Sequence, residues 1–165
     1  MAIDIDKVAQ EAIDAISEKI KNLNTLNIIV AGKTGVGKST LINAVFRDKL
    51  AETGMGKPVT DHMRKISKKG IPLAIYDTKG FELGKEVQQQ VKQEVMETIS
   101  KGLATQDINK AIHCIWYCIN TASNRVEPEE IEWLKELSRE NQITQVPIIV
   151  VLTQSFSKKN ADAMR

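Results

Sequence analysis

Residues Gly32, Lys33, Thr34, Gly35, Val36, Gly37, Lys38, Ser39 and Thr40 spell GKTGVGKST. Gly32, Gly37, Lys38 and Ser39 fill the pattern G-x-x-x-x-G-K-[ST], in which every residue type has a task at a phosphate group. Glycines let the backbone fold closely round a phosphate with several N–H groups pointing inward, and the helix that follows adds its positive end. Lys38 offers a point charge to the β and γ phosphates of a nucleotide, and the Ser39 hydroxyl offers a ligand to Mg²⁺. Accidental matches are rare at average composition, and rarer still with an apolar run before the loop and a helical pattern after it.

Two further groups stand where they could complete such a site. Asp77 opens DTKG, a D-x-x-G tetrapeptide that ends the apolar run IPLAIYDT. A turn of that kind is common by itself, but in a parallel sheet its strand can lie beside the phosphate-binding one. Asp77 then reaches the magnesium shell, directly or through water, and the Gly80 N–H meets a γ phosphate. Thr60, 21 residues past Ser39, offers a second hydroxyl to the metal.

The elements that must position these groups are readable in turn. Ile5, Val8, Ala12, Ile16, Ile20 and Leu23 recur at steps of three and four, so residues 5–23 form an amphipathic helix, expected to pack on the core. LNIIVAG is a buried strand and KSTLINAVF the helix after it. Residues 48–60 hold two glycines and a proline and form a loop. HMRKISKKG is an edge strand, its lysines discouraging aggregation, joined through a short hairpin to the strand IPLAIYDT. A helix over 84–101 carries Val87, Val91, Val95 and Ile99 on one side. The strand AIHCIWYCI, a helix over 128–139 with Pro128 in its first turn, and the strand VPIIVVL complete the order. Strands alternating with helices, apart from one hairpin, imply an α/β fold with a mostly parallel sheet and its useful loops at the strands' carboxyl ends.

The totals set limits on this scheme. A chain of 165 residues suits one domain, and 42% hydrophobic with 27% charged residues is a globular composition. A net charge of +2 gives no argument for nucleic acid or an anionic membrane. Cys114 and Cys118 fall on one face of a strand, about 13 Å apart by strand rise, too far for a disulfide. Buried thiols in a reducing, cytoplasmic setting are expected. The acidic residues from position 4 onward exclude a signal peptide, and no apolar run reaches the length of a membrane span. His62 and His113 are too isolated to form a metal cluster and read as a surface residue and a strand residue. Trp116, Tyr117 and Trp133 read as core or interface aromatics. Lys57, Lys65, Lys68 and Lys69 read as a solvated edge.

Together GKTGVGKST, PVT, DTKG and VVLTQ resemble the successive motifs of a GTP-binding protein. The set is most similar to the Era-like branch of small GTPases, with TrmE, Era, EngA and the septins, over residues 26–154. Within that branch it looks like a bacterial GTPase domain of the kind that can precede a helical, membrane-associated region. The resemblance implies a three-layer P-loop NTPase, or Ras-like, fold. Its sheet would be mostly parallel with one antiparallel edge strand, a single nucleotide-binding domain over 1–165 with an extra helix over 1–24. A last strand and helix would lie past Arg165.

The same resemblance implies Mg²⁺ as cofactor and GTP or GDP as ligand. Residues 32–40 would hold the phosphates, Ser39 and Thr60 the metal, and Asp77 the metal through water. Lys38, Thr60 and Gly80 would stabilise the γ phosphate, and Thr153 and Gln154 would stand at the base. Residues 48–62 and 78–90 would be switches that GTP orders. A protein partner, or a second copy, would be met through the switch face. Membrane association would come only through a region downstream, and nucleic acid is not indicated.

Three departures from the family pattern qualify these roles. Phe81 follows DTKG where Ras-type enzymes carry a water-orienting glutamine, which implies slow turnover. Gly35 stands where potassium-stimulated relatives carry an asparagine, so potassium stimulation is not expected. The base-reading motif [NT]-K-x-D falls on Thr153, Gln154, Ser155 and Phe156, without the carboxylate that selects guanine; Asp162 is the only carboxylate nearby. Two other readings therefore stay open: a nucleotide-binding dimerisation or scaffold module with little hydrolysis, and a P-loop ATPase without guanine selectivity.

Overall fold

The structure, a computed structural model, describes residues 3–33, 35, 37–51, 56–79, 84–122 and 125–154. Ten elements follow in chain order: α1 (Ile5–Lys21), β1 (Leu26–Gly32), α2 (Lys38–Phe46), β2 (Lys57–Thr60), β3 (Met63–Ser67), β4 (Leu73–Thr78), α3 (Lys85–Ala104), β5 (Cys114–Asn120), α4 (Pro128–Glu140) and β6 (Ile148–Thr153). The strands form one six-stranded sheet in the order β2-β3-β4-β1-β5-β6. β4, β1, β5 and β6 pair in parallel, while the β3 pairings with β4 and with β2 are antiparallel. This is the expected P-loop α/β sheet with its antiparallel hairpin at one side.

Burial on both faces explains why the central strands are continuously apolar. Successive residues of β1 point to opposite faces, so Ile28 and Val30 pack with Ile42 and Phe46 of α2, while Ile29 and Ala31 pack with Val91, Val95 and Ile99 of α3 and Trp133 and Leu137 of α4. The sheet is thus a middle layer with α2 on one side and α3 and α4 on the other. Cys114 and Cys118 both join the α2 face, as free thiols. Burial pushes Cys118 up to about 11, so it stays protonated and packs as a small apolar group.

The hairpin is wider than the sequence pattern suggests. Within the stretch read as a loop, Lys57–Thr60 forms β2, and it, rather than β3, is the outer edge of the sheet. Four residues containing a proline carry little strand signal, and only pairing with β3 reveals them. Proline is tolerated there because an edge strand leaves one row of N–H groups unpaired. The basic residues of this hairpin are partly engaged: Lys68 pairs with Asp48 at 3.2 Å, and the Lys65 ammonium lies 5.7 Å from the Tyr76 ring centroid.

The expectation that α1 packs on the core fails. All its described side chains are exposed, including Ile5, Val8, Ile13 and Ile16. The period of its apolar residues was legible, but period says nothing of what lies against the stripe. β5 also starts later than the apolar run, at Cys114. The Asn27 N–H is taken by the ring Nδ1 of His113 at 2.8 Å, which leaves Nε2 carrying the proton towards the Ile108 carbonyl at 2.8 Å. The β1–β5 ladder therefore begins at Ile28 and Cys114.

The last turn of α3 sits directly on the chain leading to β5. A Cβ on Gly102 would lie 2.7 Å from the Lys110 carbonyl oxygen and 3.2 Å from the Ala111 Cα. In an open helix, alanine for glycine stabilises by up to about 1 kcal/mol. Here the overpacking is expected to win, and Gly102→Ala to destabilise by about 1–3 kcal/mol in urea unfolding. An unchanged or raised midpoint would contradict the close approach.

Candidate functional site

The carboxyl ends of β1 and β4 lie side by side, with Val30 level with Asp77. Between β1 and α2 the chain turns through Gly35 at φ 79° and Gly37 at φ 91°, a left-handed conformation costly to residues with a Cβ. Gly37 is the N-cap of α2, and its carbonyl accepts the Leu41 N–H at 2.9 Å. The end of β6 closes over this turn: a Cβ on Gly37 would meet Thr153 Cβ at 3.5 Å and Gln154 Nε2 at 3.6 Å. Glycine at 37 therefore serves the backbone angle, while the end of β6 lies at ordinary contact distance from it.

Beside the turn is a cavity of about 770 Å³, whose lining includes Gly37, Lys38, Ser39, Thr60, Asp77 and Gln154. The structure thus brings to one place the phosphate loop, the candidate metal ligands and one end of the base-reading stretch. Lys38 Nζ donates to the Thr78 carbonyl and lies 3.4 Å from Asp77 Oδ1. Thr78 is itself anchored, its hydroxyl donating to the Val30 carbonyl at 2.9 Å. The lysine of the loop is in this way tied to the strand that carries the aspartate.

Gln154 follows the end of β6 and reaches back to the turn before α2. It stands at φ 52°, and its Nε2 donates to the Gly35 carbonyl at 3.4 Å. Thr153 ties the end of β6 to the end of β5, its hydroxyl donating to the Ile119 carbonyl at 3.2 Å while its own carbonyl accepts the Thr121 N–H at 3.0 Å. Gly32 ends β1 at the start of the turn, and Thr40 lies in the first turn of α2 and lines the cavity. Thr34, Val36, Gly80, Phe81, Phe156 and Asp162 lie outside the described residues.

Three participants escaped the sequence reading. Arg64 of β3 lines the cavity, its Nε 3.3 Å from Asp77 Oδ2 and its Nη2 donating to the Ala51 carbonyl at 2.7 Å. Asp77 is thus held between two cations, Lys38 and Arg64. The Arg64 stem also runs beneath Gly56, where a Cβ would lie 3.0 Å from its Cδ. Glu94 of α3 accepts the Thr60 hydroxyl at 2.6 Å and the His62 N–H at 3.2 Å, and its other oxygen lies 2.8 Å from His62 Nδ1. Burial alone would raise the Glu94 carboxyl, but the Thr60 and His62 donors outweigh it and hold it below its ordinary range. His62 is accordingly no free surface residue: it lines the cavity, paired and part-buried.

The third is Glu130, buried at the start of α4. It accepts the Tyr117 hydroxyl at 2.9 Å and the Glu127 N–H at 2.9 Å, and lies 3.6 Å from the ammonium of Lys33 in the phosphate loop. Burial, and then the Glu130 charge, push the Tyr117 phenol well above its usual range, so it remains a donor. Glu127 adds a weaker pairing to Lys33 at 3.9 Å. The phosphate loop is thereby fastened to α4 as well as to β4. Tyr117 and Trp133, read as core aromatics, are buried with ring centroids 5.8 Å apart.

The donors gathered round the cavity fit magnesium. Ser39 and Thr60 supply hydroxyl oxygens and Asp77 a carboxylate, the hard ligands that a small divalent cation takes, usually few in number beside phosphate oxygens.

Comparison with known proteins agrees with this geometry. A family model described as "50S ribosome-binding GTPase" matches residues 27–154. Septin-9 of Rattus norvegicus is 27% identical over 147 residues, which cover 74% of this chain and 26% of the relative. Septin-4 of Homo sapiens is 30% identical over 154 residues, 80% of this chain and 32% of the relative. The chain therefore spans about a quarter to a third of the length of these septins. Among solved structures, Toc33 from Arabidopsis thaliana in complex with Mg²⁺ and GMPPNP aligns with a TM-score of 0.54 at 20% identity, covering 90% of this chain and 63% of Toc33.

Proposed function

The chain belongs to the 50S ribosome-binding GTPase family, and we propose that it works as a magnesium-dependent GTP-binding switch with slow intrinsic hydrolysis. The observation that carries this reading is the single cavity lined by Gly37, Lys38, Ser39, Thr60, Asp77 and Gln154. In this reading the N–H groups at the start of α2 and the Lys38 ammonium take the phosphates. Ser39 and Thr60 turn their oxygens to the metal, and Asp77 supports it through water. Bound there, magnesium would neutralise charge on the β and γ phosphates. The phosphates also give Lys38 an alternative to Asp77, and Arg64 remains to balance that carboxylate.

The Gly80 N–H belongs to the γ-phosphate contacts of the same proposal, with Thr34 and Val36 among the loop's phosphate donors. Phe81 in place of a water-orienting glutamine supports slow turnover, and the Toc33 complex with Mg²⁺ supports the metal. Gln154 gives a stacking stem at the base, while Phe156 removes the usual carboxylate. The septin matches support a P-loop GTPase, and they point away from the bacterial, Era-like type that the motifs resemble. Assembly through the switch face, with a partner or second copy, belongs to the same proposal; the septin matches support oligomerisation without pointing to a face. A reducing cytoplasmic setting belongs to the same proposal, supported by Cys114 and Cys118 packing as thiols.

Calorimetry with GTP, GDP and ATP in Mg²⁺ tests base choice. A preference for GTP and GDP over ATP of about tenfold or more, 1.4 kcal/mol, would show that groups other than the missing carboxylate read guanine. Equal affinity for ATP would replace the GTPase reading with an unselective P-loop nucleotidase. Single-turnover phosphate release from GTP then separates a slow enzyme from a scaffold, with no release over hours favouring the scaffold.

A further inference from the structure

Thr60 and Glu94 are 34 residues apart, yet the carboxylate of α3 reaches the end of β2 and accepts a hydrogen bond from the threonine hydroxyl at 2.6 Å. The same carboxylate collects both donors of the next turn, the His62 N–H and ring Nδ1. That turn is also tied to the chain just after Asp77, because the His62 carbonyl accepts the Lys79 N–H at 2.8 Å. A threonine hydroxyl has one proton and two lone pairs. With the proton committed to Glu94 behind it, the lone pairs are what Thr60 has left to present, and Thr60 lines the cavity that holds Ser39 and Asp77. The β-branched side chain has few χ1 options, so this one hydrogen bond goes far towards fixing the oxygen's direction.

We propose that Glu94 is a positioning residue: it orients the Thr60 hydroxyl so that its lone pairs face the metal and the γ phosphate, and it joins this first switch segment to α3. The inference rests on the magnesium-dependent reading above. It gives Glu94 the place that outer-shell carboxylates hold behind metal ligands, where they set orientation and make the donor oxygen more basic. It also gives α3, whose first residues fall in the second switch, a direct hold on the first. A shift of α3 would move the carboxylate and with it the hydroxyl.

The test compares the affinity of a non-hydrolysable GTP analogue in Mg²⁺ and in EDTA for the whole chain, Glu94→Ala, Thr60→Ala and the double variant. Wild type is expected to gain affinity with Mg²⁺, and Glu94→Ala to lose about tenfold of that gain. Thr60→Ala should lose about as much, and the double variant no more than Thr60→Ala alone. GDP affinity in EDTA, which calls on neither residue, should stay within about twofold throughout and reports an intact phosphate loop. Glu94→Gln keeps an oxygen acceptor in place and should retain the gain to within about threefold; it carries the comparison if Glu94→Ala fails to bind GDP in EDTA.

Each other outcome overturns the proposal. A full Mg²⁺ gain in Glu94→Ala would show that Thr60 needs no partner. A further tenfold loss when Glu94→Ala is added to Thr60→Ala would make Glu94 a support of the fold. A loss in Glu94→Gln as large as in Glu94→Ala would mean that orientation was not what was removed. No Mg²⁺ gain in wild type would overturn the magnesium reading itself, and Glu94's role with it, a result distinguishable from the other three.

Discussion

Lys38→Ala is expected to lower affinity for GTP and for GDP by at least about 100-fold, while leaving the fold in place. Hydrogen bonds to charged groups contribute about 1.5–3 kcal/mol each, and two to phosphate oxygens suffice for a loss of this size. The fold should survive because the lysine's present partners are provided for without it. Asp77 keeps its contact with Arg64 at 3.3 Å, and Thr78 stays fixed through its hydroxyl on the Val30 carbonyl. Nucleotide titration by calorimetry, beside a urea unfolding curve, separates the two effects. Affinity within threefold of wild type would overturn the assignment of residues 32–40 to phosphate. A collapsed unfolding midpoint would mean instead that the Lys38 contacts to β4 hold the sheet end together.

How much of this site could be seen in the sequence depends on how far apart its partners lie along the chain. The phosphate loop is contiguous: Gly32 to Ser39, with a buried strand before and a helix after, sets both the backbone geometry and the charge, and β1 and α2 form at the expected residues. Asp77 was legible one step removed, because parallel pairing of the two apolar strands puts it level with Val30. Arg64, Glu94 and Glu130 were not legible. Each acts on a residue from another element, and which side chain of a hairpin or helix faces the cavity follows from how the layers cross, which no local pattern records. His62 shows the same limit, since an isolated histidine looks like a surface residue until α3 brings Glu94 against it. α1 shows it in reverse: the apolar stripe is plain, but its exposure depends on what the rest of the chain offers to cover it.

The Lys33–Glu130 connection leads to the second large effect, this time on stability. Glu130 is buried to 4% exposure and satisfies the Tyr117 hydroxyl, the first turn of α4 and part of the Lys33 charge at once. Glu130→Ala removes the acceptor for all three and leaves a void between β5 and α4. A loss of about 2–4 kcal/mol in urea unfolding is expected, drawn mainly from the buried hydrogen bonds, because Lys33 is part-exposed and water screens its share. Glu130→Gln keeps the volume and one acceptor oxygen, and should cost about 1 kcal/mol. Glu130 also fastens the phosphate loop to α4, so Glu130→Ala should weaken nucleotide binding by a few-fold through Lys33 while Glu130→Gln stays close to wild type. A Glu130→Ala chain within 0.5 kcal/mol (roughly the scatter of surface substitutions) would show that the start of α4 does not depend on this carboxylate, and that the loop is held from β4 alone.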